Sequence, residues 1–209
     1  MKNCWGKLPK GRAKPMTAII IPDGFKVTSR QFDELAESNT EVRMELTAQG
    51  ELITMPPTGG SAGKYNFNLY LDLGLWKRRT GLGVAFDSST IFILPNGARR
   101  SPDVAWVTLE RWQSLTPEEQ DGFPPLVPDF VIELVSPSDL KKQKYEDLQG
   151  KMQEYLDNGV RLGWLIEPKA RTVEIYRQQQ AVEILLNPKS LSGEEVLPGF
   201  ILNLDSIWS

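Results

Sequence analysis

The stretch Pro128-Asp129-Phe130-Val131-Ile132-Glu133-Leu134-Val135-Ser136-Pro137-Ser138 decides how this chain is read. Its centre is β-branched or apolar at successive positions, the pattern of a strand covered on both faces rather than one with a wet side. A single carboxylate, Glu133, interrupts it. A charge inside a doubly covered strand is costly unless something meets it, so Glu133 is expected to face a metal ion or a lysine, with a structural salt bridge as the competing explanation. Upstream, Arg100-Ser101-Pro102-Asp103-Val104-Ala105-Trp106-Val107 sets a second acid, Asp103, at the mouth of another apolar strand. A turn residue after proline would account for Asp103 alone. Two acids so placed suggest a site.

Composition limits the chemistry that site can perform. A chain of 209 residues, 40% hydrophobic and 24% charged, fits one soluble domain with a well-buried core. No apolar run is long enough to cross a bilayer, so no membrane partner is expected. The one cysteine, Cys4, excludes an intramolecular disulfide, and the cytoplasm is the expected compartment. There is no histidine, which removes the usual general base of hydrolases, imidazole ligands for zinc and every His-dependent triad. What remains is oxygen-ligand metal chemistry by Asp and Glu with help from Lys. Hard cations such as Mg²⁺ or Mn²⁺ suit that donor set.

The net charge of −3 argues against a chain that coats nucleic acid through bulk electrostatics. Local basic clusters are still present at Lys77-Arg78-Arg79, Arg99-Arg100 and Lys141-Lys142 with Lys144. They read either as solvated surface or as phosphate contacts if folding gathers them.

Outward from the deciding stretch, residues 1–15 are basic and poor in aliphatics and read as a flexible leader before a single domain over 16–209. Thr28 and Gln31 have capping-box spacing for a short helix holding Phe32 and Leu35. Arg43 to Leu46 and Glu51 to Met55 form an N-terminal hairpin about Gln49-Gly50. The following Pro57-Thr58-Gly59-Gly60 lacks P-loop spacing. Phe67, Leu71 and Leu75, with Tyr70 and Trp76, recur at helical spacing in a long helix ending near Gly81, and these aromatics read as core. Strands are expected at Gly83–Asp87, Ile91–Leu94, Asp103–Val107 and Phe130–Val135, with a short helix near Leu109 to Leu115. A helix from Asp139 to Asp157 places Lys144, Leu148, Lys151 and Tyr155 on one face, Tyr155 as core. Arg161 to Ile166 is a further strand, and Thr172–Tyr176 with Val182–Leu186 a C-terminal hairpin. The fold class is α/β: a mixed sheet flanked by helices.

Several segments together resemble the Uma family, bacterial proteins assigned as endonucleases within the restriction-endonuclease-like PD-(D/E)XK superfamily. They are Gly50-Glu51-Leu52 with Met55-Pro56-Pro57-Thr58-Gly59-Gly60, Ser101-Pro102-Asp103, Pro128 to Ser138, Lys151 to Gly159, and Gly163-Trp164-Leu165-Ile166-Glu167-Pro168. The likeness runs from about Thr28 to Trp208. It implies a restriction-endonuclease-like core in which Asp103 and Glu133 jointly bind a divalent metal, Mg²⁺ or Mn²⁺. Val135 stands where the superfamily lysine would be, and Lys151 is the match for a lysine supplied by the following helix. Glu51, and after it Glu45, is the candidate for a further acid from the N-terminal strands; either otherwise reads as an exposed strand residue. The implied activity is hydrolysis of phosphodiester bonds in DNA, with a homodimer reasonable for cutting two strands. The alternative is a nuclease fold kept for DNA binding or regulation without cutting.

A nuclease of this kind needs a cation to offset charge on the phosphoryl oxygen and to lower the pKa of the attacking water. Lys151 as a base would require a strongly depressed pKa, so an electrostatic role is expected.

Overall fold

A computed structural model describes residues 21–22, 24–55, 57–137 and 139–208. The expected leader, residues 1–15, lies outside the described residues. Helix α1 (Ser29–Ser38) opens with the expected capping box: the Thr28 hydroxyl accepts the Gln31 N–H, and the Gln31 side chain accepts the Thr28 N–H. A hairpin follows, β1 (Arg43–Leu46) with β2 (Leu52–Met55), and then the long helix α2 (Gly60–Thr80), stopped by Gly81 in the left-handed region. β3 (Gly83–Asp87), β4 (Phe92–Ile93), β5 (Arg99–Arg100) and β6 (Val104–Thr108) lead to two short helices, α3 (Leu109–Gln113) and α4 (Pro117–Asp121). Then come β7 (Phe130–Leu134), α5 (Lys142–Asp157), β8 (Leu162–Glu167), β9 (Thr172–Arg177), β10 (Glu183–Leu186), β11 (Ser190–Ser192), β12 (Ile201–Asn203) and α6 (Asp205–Trp208).

The main sheet has the order β10-β9-β8-β7-β6-β3 and is mixed: β7 and β8 run parallel while the other neighbours are antiparallel. The parallel pair needs a crossover, and α5 supplies it. β7 is buried along its whole length, Glu133 included, as an apolar run on both faces requires. Alternate residues therefore feed two cores. Phe130, Ile132 and Leu134 point to the side of α2 and the β11–β12 hairpin, among Trp106, Trp164 and Phe200. Val131 and Val135 point to the side of α5, among Val107, Met152 and Tyr155. A smaller sheet, β2-β1-β5-β4, packs under α1 around Phe32, Met44 and Leu46. Among the described residues no helix is long and apolar enough to cross a membrane.

Two readings of apolar and basic residues are corrected. On α2 the buried face is Leu69, Leu73 and Trp76, while Phe67, Leu71 and Leu75 are exposed by 64%, 46% and 49%. Both stripes have helical spacing, so periodicity could not choose between them; the Trp76–Trp106 edge-to-face contact, 5.6 Å between centroids, marks the true inner side. Arg99 and Arg100 are not a solvated patch. They form β5, are buried, and bind Asp33 and Glu45 with Glu154 respectively.

The β3–β6 contact leaves no room at Gly83. A Cβ there would overlap the Val107 carbonyl oxygen and come 2.6 Å from the Trp106 ring. At Gly163 the nearest atom is instead the mobile end of Met152, at 2.7 Å. Gly83→Ala is expected to cost about 3 kcal/mol and Gly163→Ala clearly less, read from urea-unfolding midpoints. Equal midpoints for the two variants would contradict this packing.

Candidate active site

Strand alternation brings the two acids to one face. Glu133 shares the side of β7 that carries Val131 and Val135, the side covered by α5. Asp103 precedes Val104, whose register partner is Ile132, so one step along the antiparallel pair sets Asp103 across from Glu133. The Asp103 carboxylate accepts the Leu134 N–H at 2.9 Å, which ties the mouth of β6 to the residue after Glu133. Both line an open cleft of about 1610 Å³.

α5 supplies the cation. Its side chains Lys151 and Tyr155 are one turn apart and face β7. The Lys151 ammonium lies 2.7 Å from Glu133 Oε1 and 2.8 Å from Glu45 Oε1, and the Tyr155 hydroxyl donates to Glu133 Oε1 at 2.9 Å. Glu45 enters from β1. Its neighbours Met44 and Leu46 turn into the small core, so Glu45 turns to the cleft. There it also accepts from Arg100 at 3.0 Å and from the Ser101 N–H at 2.8 Å.

Three of the four residues singled out in the sequence, Asp103, Glu133 and Lys151, are thus brought together. Glu51 is not part of that cluster among the described contacts. Its carboxylate accepts the Gly24 N–H at 3.0 Å, and its backbone bridges to Lys26, although it lines the same cleft. Glu45, ranked behind it, is the acid that touches Lys151. Tyr155 is core as expected, yet its hydroxyl also holds Glu133; its position four residues after Lys151 was the available signal.

The two glutamates are driven apart in proton affinity. Burial works against the charge of each. At Glu45, Lys151, Arg100 and the Ser101 N–H outweigh it, and the carboxyl falls below its usual range. At Glu133 burial, reinforced by the charges of Asp103 and Glu45, prevails over Lys151, and the pKa is pushed up to about 7. Asp103 is raised by burial too, against the Leu134 N–H and Lys151. Burial alone would lower Lys151, but Glu133 and Glu45 more than reverse it, so the pairing favours the charged amine.

Among the described residues, no group of three or more Asp, Glu or Cys side chains could by itself hold a metal ion. The donor set still fits a hard cation. Glu133 Oε1 is engaged by Lys151 and Tyr155 and Asp103 Oδ2 by Leu134, which among the described residues leaves one oxygen of each carboxylate for another partner. Mg²⁺ commonly takes one or two carboxylates and completes its shell with water and substrate phosphate.

A family model, Uma2, described as "Putative restriction endonuclease", matches residues 29–205. Among solved structures the chain is similar to "a putative nuclease belonging to DUF820" from Anabaena variabilis. The TM-score is 0.71 at 21% identity, over 87% of this chain and 97% of that one, a likeness of fold. No curated protein gives a significant match.

Proposed function

Because the chain belongs to the Uma2 family, we propose that it is a divalent-metal-dependent endonuclease that hydrolyses phosphodiester bonds in DNA. The observation that carries this reading is the juxtaposition of Asp103 and Glu133 across the β6–β7 pair with the protonated Lys151 at 2.7 Å. Asp103 and Glu133 would hold Mg²⁺ or Mn²⁺. When bound, the cation offsets charge developing on the phosphoryl oxygen and lowers the pKa of the attacking water. Lys151 presents a fixed positive charge to the same phosphate. Tyr155 keeps the Glu133 carboxylate oriented, and Glu45, anchored by Arg100 and Ser101, keeps the ammonium from swinging out. Glu51 stays a candidate for a supporting acid at the cleft wall. A pair of copies acting on the two strands of a duplex belongs to the same proposal.

Protons compete with the cation for Glu133. Its raised pKa, about 7, means that the carboxyl is protonated below that pH and available as a ligand above it. Plasmid nicking is therefore expected with Mg²⁺ or Mn²⁺, absent in EDTA, and rising as pH passes through about 7. Salt-dependent DNA binding with no nicking under either metal would instead select the non-cutting, binding or regulatory alternative.

A further inference from the structure

A second buried acid lies under α5. Glu133 is the register partner of Leu165 on β8, and Leu165 that of Glu174 on β9, so the two glutamates stand in one row of the sheet, about 10 Å apart on one face. Leu165 belongs to the core on the α5 side, which identifies that face. Glu174 is 5% exposed, and its carboxylate accepts from the Tyr145 hydroxyl at 2.9 Å, the Gln149 amide at 2.8 and 3.1 Å and the Tyr176 hydroxyl at 2.6 Å. All three donors are neutral, and among the described residues no lysine or arginine forms a salt bridge with it. Burial and the Glu174 carboxylate push both phenol hydroxyls up, so they stay donors. A charge buried this deeply without a counter-cation is costly, and packing alone would be served by an apolar side chain.

The row explains what the charge does. At about 100° per residue, Gln149 and Lys151 leave α5 on opposite flanks of the buried stripe that Leu148 and Met152 form. One flank reaches Glu174, the other Glu133 and Glu45. The second half of the helix has further ties, because Glu154 accepts from Arg100 at 2.6 Å and from Asn96 at 3.0 Å. The first half lacks them. Its N-cap, Lys141, makes no side-chain cap bond, and the side-chain hydrogen bonds from that half to the main sheet, among the described residues, all end on Glu174. Glu174 and Glu133 thus hold the helix from either side and fix its roll about its own axis. A roll of about 10°, at the ~6 Å radius of the side chains, moves the ammonium by about 1 Å. That is enough to break contacts of 2.7 and 2.8 Å.

We propose that Glu174 is a positioning residue: through Tyr145 and Gln149 it sets the roll of α5 and so holds the Lys151 ammonium against Glu133 and Glu45. Its consequence for catalysis rests on the nuclease reading, since a misplaced ammonium no longer meets the phosphate. The positioning itself is measurable without cleavage.

The test is trace acetylation of the full chain by acetic anhydride, with the rate at Lys151 read by mass spectrometry against Lys142, whose side chain is 89% exposed. Three variants are compared with wild type. Tyr145→Phe/Gln149→Leu removes the bonds from α5 to Glu174, Tyr145→Phe alone removes one of them, and Tyr176→Phe removes the bond made within β9. Lys151, 11% exposed in its side chain, is expected to react about fivefold faster or more in the double variant, the population ratio that one lost hydrogen bond is worth. Tyr145→Phe should show a smaller rise, and carries the comparison if the double variant does not fold. Tyr176→Phe should melt lower yet leave the Lys151 rate at the wild-type value, because α5 stays tied. Nicking at saturating DNA should slow in the double variant while DNA affinity, measured by fluorescence anisotropy with Ca²⁺ replacing Mg²⁺, stays the same. An unchanged Lys151 rate in both α5 variants would overturn the proposal, whatever the nicking assay shows. So would an equal rise in Tyr176→Phe, which would report general loosening. A faster Lys151 in the α5 variants of a protein that never nicks plasmid would keep the positioning role and remove the nuclease.

Discussion

Glu133→Gln is expected to lower metal-dependent nicking by about three orders of magnitude while leaving the protein folded. Gln keeps the shape of Glu and can still accept from Tyr155 and Lys151, the two groups that hold Glu133 Oε1. It lacks the charge that a cation needs. The loss of a metal's stabilisation of transition-state charge is worth several kcal/mol, hence the size of the effect. A second readout separates this from damage. In the folded protein Glu133 has its pKa raised from 4.5 to about 7, so the stability it contributes is fully present below the unfolded value and is lost as pH rises through about 7. In metal-free buffer at pH 8 the wild type carries that cost and the variant does not, so the variant should melt higher. Conversely, adding Mg²⁺ or Mn²⁺ should raise the melting temperature of the wild type and not of the variant. Undiminished nicking by Glu133→Gln would remove Glu133 from the metal site.

The fold and the centre of this site were legible because their signals are local. An apolar strand interrupted by one acid, and a proline-led acid before another, suffice to set Glu133 within a buried strand and Asp103 at a strand mouth. The sheet and its flanking helices follow from the order of periodic segments, and the similarity of fold to the Anabaena variabilis protein agrees with the restriction-endonuclease-like architecture. What stayed hidden depends on long-range pairing. Glu45 and Glu51 lie on the same hairpin, and nothing local ranks them. The decision comes from the β1–β5 pairing, Leu46 opposite Arg99, which brings Arg100 and Ser101 to Glu45. The Arg99-Arg100 cluster was misleading for the same reason: its partners Asp33, Glu45 and Glu154 are distant in sequence. β11 and β12 are three residues each, too short for alternation to announce them. Lys151 was placed by the resemblance rather than by helix periodicity, since a lysine on a helix is ordinarily solvated.

The cluster also sets how much of the fold's stability rests on a single amine. Lys151→Met preserves the length and apolar stem of the side chain but leaves Glu45 and Glu133 without their shared cation. Breaking a buried ion pair from one side typically costs about 3–5 kcal/mol, because the orphaned charge remains desolvated. The two acids do not suffer equally. Glu45 retains Arg100 and the Ser101 N–H and stays ionised. Among the described residues Glu133 keeps the Tyr155 hydroxyl alone, so its pKa, already raised, climbs further, and it escapes the penalty by holding a proton. The sign follows: stability contributed by a carboxyl with a raised folded pKa is present at low pH and lost as pH rises. The deficit of Lys151→Met should therefore be small near pH 6 and grow above about pH 7 by up to about 1.4 kcal/mol per pH unit, until the raised pKa of the variant is passed, measured by urea unfolding in EDTA. Added Mg²⁺ should recover part of the deficit at pH 8, because a cation between Asp103 and Glu133 neutralises the charge the lysine left behind, yet nicking should not return. A variant as stable as wild type at pH 8 would mean that the two glutamates are solvated in solution, and the fixed positive charge offered to the phosphate would lose its structural basis.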